Sequence, residues 1–225
     1  VLFRSPHIID LPRIGVSQRS NLGIPEDALA FGCYGGSDSF NLDFVKKVIA
    51  ELVAKNSKIY FLFMNIDRFI NHPQVIFLPG NSDPVFKSSF INTCDAMLHA
   101  RGIGESFGLA CGEFSMHNKP VITYSLSPQR NHIDVLGSKA ILYKGPKDLS
   151  EILLGFDKTA FQKQNWDCYS QEFSPTAVMK KFDSVFLSDN AVQRIEIDIS
   201  SSDKIVVQGK RFRKKLRSLS RKLYL

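Results

Sequence analysis

Cysteine is scarce in this sequence, and its scarcity excludes two ways of holding a fold together. The 225 residues include four cysteines, Cys33, Cys94, Cys111 and Cys168, and no two of them form a Cys-x-x-Cys pair. Structural zinc sites and disulfide frameworks both depend on closely spaced or regularly paired cysteines, so neither is predicted. We therefore expect a domain stabilised by its hydrophobic core in a reducing compartment, with no bound metal and no cofactor.

Long apolar runs are also missing. No stretch reaches the roughly 18 apolar residues that a membrane-spanning helix needs. The start of the chain, where Val1-Leu2-Phe3 is followed at once by Arg4, does not have the form of a secretory signal peptide. These two features predict a cytoplasmic protein. Material for a core is plentiful, because 44% of the residues are hydrophobic and 18 of them are phenylalanine.

The excess of positive charge is concentrated near the C terminus. The chain has 29 Lys and Arg against 22 Asp and Glu, but eight of the basic residues lie between Lys210 and Lys222, where there is no acidic residue. Apolar residues at helical spacing, from Phe212 to Leu223, predict a basic amphipathic helix, which is typical of binding to an anionic membrane surface. A solvated tail is the alternative. A nucleic-acid partner is not expected, because the rest of the chain is nearly neutral and has no recognition motif.

Strand and helix patterns alternate along the chain. Residues 58–64 are nearly continuous in apolar side chains, as a strand covered on both faces requires. Apolar runs of this kind lie at 30–34, 58–64, 75–78, 96–100, 120–124 and 140–143. Helical spacing is found at 42–54, 84–93, 107–117, 146–156 and 175–187. This alternation predicts an α/β fold with a doubly wound, Rossmann-like parallel sheet, followed by the basic helical tail.

Three loops follow strands of the predicted sheet and would share one rim. Gly35-Gly36 follows the first strand, Leu78-Pro79 ends the third, and the segment up to Glu105 follows the fourth. Ligands of doubly wound sheets bind beyond the carboxyl ends of the strands, so this rim is the expected ligand site. Gly35 and Gly36 either present backbone amides to a phosphate or form a plain turn.

Two carboxylates eight positions apart flank a predicted helix start on that rim. The four residues that lead from the first carboxylate into the helix are Ser106, Phe107, Gly108 and Leu109. The first amides of a helix lack intrahelical partners and attract phosphate, and Gly108 allows close approach. Glu113 can accept hydrogen bonds from a vicinal diol such as ribose, and Glu105 can bind sugar hydroxyls. The alternative is a Glu placed near the helix start for dipole reasons alone, with a solvated Glu105.

These residues resemble the C-terminal, donor-binding domain of retaining GT-B glycosyltransferases of the group 1, or family 4, type. That family has a Glu, seven residues, Glu signature with Phe-Gly after the first Glu and Pro-Val after the second. The matching segments here are Glu105, Phe107-Gly108-Leu109, Glu113 and Pro120-Val121-Ile122. The resemblance covers roughly residues 20 to 185. It implies an interdomain segment at 1–20, a nucleotide-sugar-binding domain at 21–188 and a C-terminal extension at 189–225.

The resemblance implies retaining transfer of a hexosyl group from a nucleotide-diphosphate sugar to a glycan or lipid-linked acceptor. Glu105 would hold the sugar, the amides of Phe107 to Leu109 the diphosphate and Glu113 the ribose, while Leu78 and Pro79 would contact the base. GT-B enzymes place the acceptor on a second, N-terminal domain, for which residues 1–20 have no room. We therefore expect the donor-binding half of a longer or partnered enzyme. The alternative is a non-catalytic nucleotide- or partner-binding module docked on a membrane by the basic tail.

One part of the family pattern is missing. The family usually supplies an Arg just after the first strand and a Lys about five residues later, but residues 36–40 here read Gly-Ser-Asp-Ser-Phe. Arg101 is the predicted substitute at the catalytic site, since a guanidinium can bind phosphate with two hydrogen bonds. Weaker candidates are Lys87 and Arg130. His99 and His132 are expected to be either structural residues or acid–base groups.

Overall fold

The computed structural model describes residues 7–186 of the chain. Of these, residues 7–177 form one compact unit, and residues 178–186 belong to a second. No helix within residues 7–186 is long and apolar enough to cross a membrane. The predicted basic helix at Lys210–Lys222 and the predicted extension at 189–225 lie outside the described residues.

The compact unit is built from parallel strands connected mostly by helices. The strands are β1 (Leu29–Tyr34), β2 (Ile59–Met64), β3 (Val75–Leu78), β4 (Ala96–His99), β5 (Gly104–Glu105), β6 (Val121–Tyr124), β7 (Gln129–Arg130) and β8 (Ile141–Tyr143). The helices are α1 (Asp43–Lys55), α2 (Pro84–Thr93), α3 (Leu109–Met116), α4 (Asn131–Leu136), α5 (Pro146–Leu154), α6 (Lys158–Gln162), α7 (Ser170–Phe173) and α8 (Pro175–Phe186), the last of which runs past Ala177.

The order of the strands creates a crevice. Six strands form one sheet in the order β3-β2-β1-β4-β6-β8, and every neighbouring pair is parallel. This is the doubly wound Rossmann order, in which the winding reverses between the first strand and the fourth. The carboxyl ends of β1 and β4, at Tyr34 and His99, therefore lie on either side of a crevice. The short strands β5 and β7 pair with each other beside the main sheet.

Burial explains why the predicted strands form. All the side chains of β2 except Tyr60 are buried, as expected for a parallel strand covered on both faces. α1 buries its apolar face through Val45, Val48, Ile49, Leu52 and Val53, which lie at helical spacing within the predicted range 42–54. The doubly wound parallel sheet predicted from the sequence is thus confirmed.

The segment before β1 is fixed to the compact unit. Ile9 is 2% exposed, and a Cβ added to Gly112 of α3 would lie 2.3 Å from Ile9 Cδ1. Arg19 is buried and donates to Asp95 Oδ2 at 2.7 Å. The described part of the predicted interdomain segment therefore packs on the domain, while its boundary at residue 20 stays a prediction.

The predicted elements agree with the observed ones within two residues, apart from the short elements that the sequence pattern does not show. α3 begins at Leu109, two residues later than predicted, because Gly108 adopts a left-handed conformation with φ of 84°. The elements not predicted are β5, β7, α4, α6 and α7, each of at most six residues. Segments this short contain too few residues to show a helical or strand period.

Candidate functional site

A cleft of about 400 Å³ opens at the crevice between β1 and β4. Most of the predicted site residues line it: Gly35, Gly36, Arg101, Glu105, Ser106, Phe107, Gly108, Leu109 and Glu113. Residues that are distant in the sequence, such as Tyr34 and Lys87, also line it. The position agrees with the general rule that doubly wound sheets bind ligands where the strand order reverses.

The start of α3 faces this cleft without a side chain that caps it. Its N-cap residue is Gly108, and none of the described side chains hydrogen-bonds to the first turn. Leu109, Ala110 and Cys111, whose backbone N–H groups begin the helix, all line the cleft. A Cβ on Gly108 would lie 2.7 Å from the Cβ of His132, so only glycine fits there without a shift. This arrangement leaves backbone donors available to an anion.

Glu113 is held by two donors inside the cleft. It is 8% exposed, and its Oε2 accepts a hydrogen bond of 2.5 Å from the Tyr34 hydroxyl. Its Oε1 accepts a hydrogen bond from the Lys87 ammonium, which also lies 5.1 Å from the centre of the Tyr34 ring. A buried carboxylate without such partners would be strongly unfavourable. The orientation of Glu113 is therefore fixed before any ligand binds.

Tyr34 is a site residue that sequence reasoning misses. Its position as the last residue of β1, at the crevice, was the available signal. Burial, and then the Glu113 carboxylate, raise the pKa of Tyr34 well above its ordinary value, so the hydroxyl keeps its proton and donates a hydrogen bond to Glu113. Lys87, predicted only as a weaker phosphate candidate, is placed by α2 directly on Glu113.

Glu105 has its own pair of partners on the other side of the helix start. Its Oε2 accepts a hydrogen bond of 3.1 Å from Arg101 Nη1, and its Oε1 lies 3.3 Å from His99 Nε2. Burial by itself would raise the pKa of Glu105, but His99 and Arg101 outweigh burial, so that the pKa lies below its ordinary value. Glu105 is thus an ionised acceptor at neutral pH.

A chain of buried polar groups supports Glu105 from behind. The Thr123 hydroxyl lies 2.9 Å from His99 Nδ1 and 2.9 Å from His132 Nε2. Because a carboxylate only accepts, His99 donates to Glu105 through Nε2–H, while its Nδ1 shares a hydrogen bond with the Thr123 hydroxyl. His132 Nε2 shares a hydrogen bond with the same hydroxyl. His132 Nδ1 is the buried side-chain nitrogen that has no hydrogen-bond partner among residues 7–186.

Of the two roles left open for the histidines, a structural role fits these contacts. His132 is fully buried, and burial, followed by repulsion from His99, lowers its pKa to about 4. It is therefore neutral at pH 7 and holds Thr123 in place. His99 lines the cleft but directs its Nε2 to Glu105, so it positions that carboxylate.

The loop after β1 forms a tight turn. Ser39 donates to the Gly36 carbonyl through both its backbone N–H, at 2.9 Å, and its hydroxyl, at 2.7 Å. A Cβ on Gly35 would lie 2.5 Å from Ser39 Oγ, which explains the glycine. The first basic residue after this turn, Lys46, pairs with Asp43 and does not line the cleft. The missing cation pair after the first strand is therefore not replaced from this loop.

Three predicted residues lie outside the lining of the cleft. Leu78 ends β3, where its carbonyl accepts from the Asn65 amide at 3.1 Å, and Pro79 follows it on the surface. Their contact with a base stays a prediction. Arg130 donates to the carbonyl of Ser125, which directs its guanidinium away from the role of phosphate ligand.

Comparisons with known proteins show that this chain is similar in structure to several solved proteins. No protein-family profile matches the sequence, and comparison with curated proteins gives no significant match. The Anabaena protein Alr3699/HepE, solved in complex with UDP and glucose, superposes with a TM-score of 0.60 at 17% identity, over 76% of this chain and 50% of its own. A variant of S. aureus TarM, in complex with fondaparinux, α-GlcNAc-glycerol and UDP, gives 0.54 at 13% identity, over 73% of this chain and 37% of its own.

A third neighbour is a UDP-forming α,α-trehalose-phosphate synthase from Burkholderia xenovorans, with a TM-score of 0.53 at 9% identity, over 74% of this chain and 46% of its own. This chain thus spans half the length of HepE and less than half of the other two. At sequence identities this low, the superpositions establish similarity of fold alone. The compact unit is a Rossmann-like α/β domain whose fold is similar to part of each of these three proteins.

Proposed function

We propose that this domain binds the nucleotide-diphosphate sugar donor of a retaining hexosyltransferase. The observation that carries the proposal is the cleft itself, in which two positioned carboxylates, Glu105 and Glu113, flank the uncapped start of α3. The structures of HepE with UDP and with UDP-glucose support it, since these complexes belong to proteins with the same domain fold.

Each part of the cleft has a role in this proposal. The backbone amides at the start of α3 bind the diphosphate, because the helix dipole and unpaired N–H groups favour an anion there. Glu113 accepts the ribose hydroxyls: a carboxylate has about four acceptor positions, and Tyr34 and Lys87 use two of them. Glu105 accepts hydroxyls of the sugar, and Gly35 and Gly36 border the space between them.

Among the described residues the cleft has more carboxylates than lysines and arginines, because Asp38 lines it as well as Glu105 and Glu113. Lys87 and Arg101 are the lysine and arginine that line it within residues 7–186, and each is paired with one glutamate of the signature. A diphosphate therefore adds negative charge to a site without a spare cation, and like charges about 4 Å apart repel by roughly 1–4 kcal/mol. We propose that Lys87 and Arg101 turn from the glutamates toward the phosphates when the donor binds, in place of the missing Arg and Lys after β1.

The chemistry that follows is electrostatic. The leaving diphosphate is stabilised by the helix start and by these two cations while a glycan or lipid-linked acceptor attacks from the same face, which retains the configuration. The donor is the substrate, and we propose no metal or cofactor. The acceptor would be carried by a second domain or partner, since the chain spans half the length of HepE.

Calorimetric titration of UDP, GDP and ADP tests the donor site. We expect one of the three nucleotides to bind saturably. Glu113→Ala should weaken the binding of that nucleotide at least tenfold, because hydrogen bonds to a charged group contribute about 1.5–3 kcal/mol. Glu113→Gln, which keeps the shape and leaves Lys87 a hydrogen-bond acceptor, is the second variant. Glu51→Ala, an exposed position on α1, is the matched control.

The outcomes are distinct. No saturable binding by the folded wild-type chain would overturn the proposal, and so would an affinity equal to that of the wild-type chain in both Glu113 variants. Hydrolysis or transfer of the sugar from the matching donor would separate an enzyme from a nucleotide-binding module without catalysis.

A further inference from the structure

A second cavity, of about 220 Å³, opens beside the amino ends of β4 and β6. Asp95 directly precedes β4 and Pro120 directly precedes β6, and both line this cavity. The donor cleft lies beyond the carboxyl ends of the strands, so the two cavities are at opposite edges of the sheet. What is argued below does not depend on the proposed donor site.

The acidic residue of this cavity is already neutralised. Asp95 is the carboxylate among the described lining residues, and its side chain is 6% exposed. Its Oδ2 accepts from Arg19 Nη2 at 2.7 Å and from the Ala30 amide at 2.8 Å, and its Oδ1 lies 3.2 Å from Lys158 Nζ. One negative charge is therefore shared by two cations.

Lys119 adds a third positive charge with no acidic partner. It is half-buried between α3 and β6, and its ammonium has no hydrogen bond or ion pair with any of residues 7–186. Burial lowers the pKa of Lys119, and Lys158 and Arg19 act in the same direction, whereas Asp95 opposes them. The positive charge of the cavity thus exceeds its negative charge.

The walls of the cavity would strengthen an ionic contact. Phe156 and Phe161 stack with their ring centres 4.3 Å apart, and both line it. Apolar walls lower the local dielectric constant, which increases the attraction between an anion and the two lysines. Asn92 and Gln162, which have amide side chains, also line the cavity.

We propose that this cavity binds a phosphate group between Lys119 and Lys158. The group is either inorganic phosphate or the phosphate of a small monoester, since both present the same oxyanion to the two ammonium groups. A lysine cannot make the paired hydrogen bonds of a guanidinium, so Lys119 and Lys158 would attract the phosphate as point charges while polar neighbours supply hydrogen bonds.

The test is a titration of the full chain with inorganic phosphate and, separately, with glucose 6-phosphate. We expect saturable binding that Lys119→Met weakens at least tenfold, while Lys55→Met, at an exposed position of α1, leaves it unchanged. The basic C-terminal segment is the same in every variant, so its contribution cancels in the comparison.

A site-specific measurement keeps the test decisive if phosphate binds elsewhere as well. The pKa of Lys119 can be followed by NMR of lysine labelled with ¹³C at the ε carbon, with the signal assigned from Lys119→Met. We expect the pKa of Lys119 to rise when phosphate is added, because a bound anion favours the protonated amine. Tighter binding of glucose 6-phosphate than of phosphate would identify a monoester site, and the reverse order a site for the free ion.

Two results would overturn the proposal. One is a Lys119 pKa that does not respond to phosphate or to glucose 6-phosphate. The other is a Lys119→Met variant that binds both anions as the wild-type chain does. Unfolding by urea checks that the variant is folded; we expect it to be at least as stable as the wild-type chain, since it loses a half-buried charge that has no partner.

Discussion

Replacement of Lys87 by methionine separates the two binding tasks of the cleft. Methionine is similar in length and apolar character to the stem of lysine but lacks the charge. In the unliganded protein the change removes one of the two donors to Glu113 and leaves the Tyr34 hydroxyl in place. In the proposed complex it removes one of the two cations available to the diphosphate, while the acceptors for the ribose remain.

The size of the effect follows from the geometry. The Lys87 side chain is 21% exposed, so an interaction with a phosphate about 4 Å away lies between roughly 1 kcal/mol, as in water, and about 4 kcal/mol, as near a protein surface. A loss of about 1.4 kcal/mol is tenfold in affinity. We therefore expect Lys87→Met to weaken the binding of UDP by about fivefold or more relative to the binding of uridine, which has the ribose but no phosphate.

The assay compares two ligands and three proteins. UDP and uridine are titrated into the wild-type chain, into Lys87→Met and into Lys55→Met as the exposed control. Uridine is expected to bind Lys87→Met as well as it binds the wild-type chain, or better, because Glu113 no longer shares an oxygen with an ammonium group. If another nucleotide is the ligand, its own nucleoside takes the place of uridine.

An unchanged ratio of UDP to uridine affinity in Lys87→Met would refute the reasoning, because Lys87 would then not contact the phosphates. A wild-type chain that binds neither ligand would instead refute the donor site itself. The two failures can therefore be told apart.

Three further predictions concern stability and the tail. The pKa of His132 is lowered to about 4 in the folded protein, so the unfolded chain binds more protons between pH 6.5 and 4; the free energy of unfolding should fall by about 3 kcal/mol across this range in urea titrations, and His132→Phe should flatten the dependence. Gly108→Ala should destabilise by about 1–3 kcal/mol, because of the positive φ of 84° and the contact with His132, whereas Gly15→Ala, with open space around it, should not. The segment Lys210–Lys222 should bind the protein to vesicles that contain anionic lipid, and high salt should release it. Co-sedimentation of the protein with vesicles that does not depend on the charge of the lipid would contradict this.

Much of the fold follows from the sequence because parallel strands are buried on both faces. Such strands appear as short apolar runs, and the six runs from residues 30–34 to 140–143 all proved to be strands of the main sheet. The helix spacing between them predicts the crossovers. The Glu105 and Glu113 spacing could also be interpreted locally, because a loop and the helix that follows it are contiguous in the chain.

The partners of those glutamates could not be predicted in the same way. Tyr34 and Glu113 are 79 positions apart, and they meet only because β1 and β4 lie side by side where the winding reverses. The link from His99 through Thr123 to His132 likewise depends on the pairing of β4 with β6.

The sequence by itself therefore determined the elements, their alternation and the local pattern at the start of α3, since periodicity and helix-end chemistry act over a few residues. Tertiary structure decided which cation neutralises which carboxylate. Lys87 and Arg101 are paired with Glu113 and Glu105, whereas Lys119 has no acidic partner among residues 7–186. Charges interact through space, and the distances between side chains on different elements are set by the order of the strands.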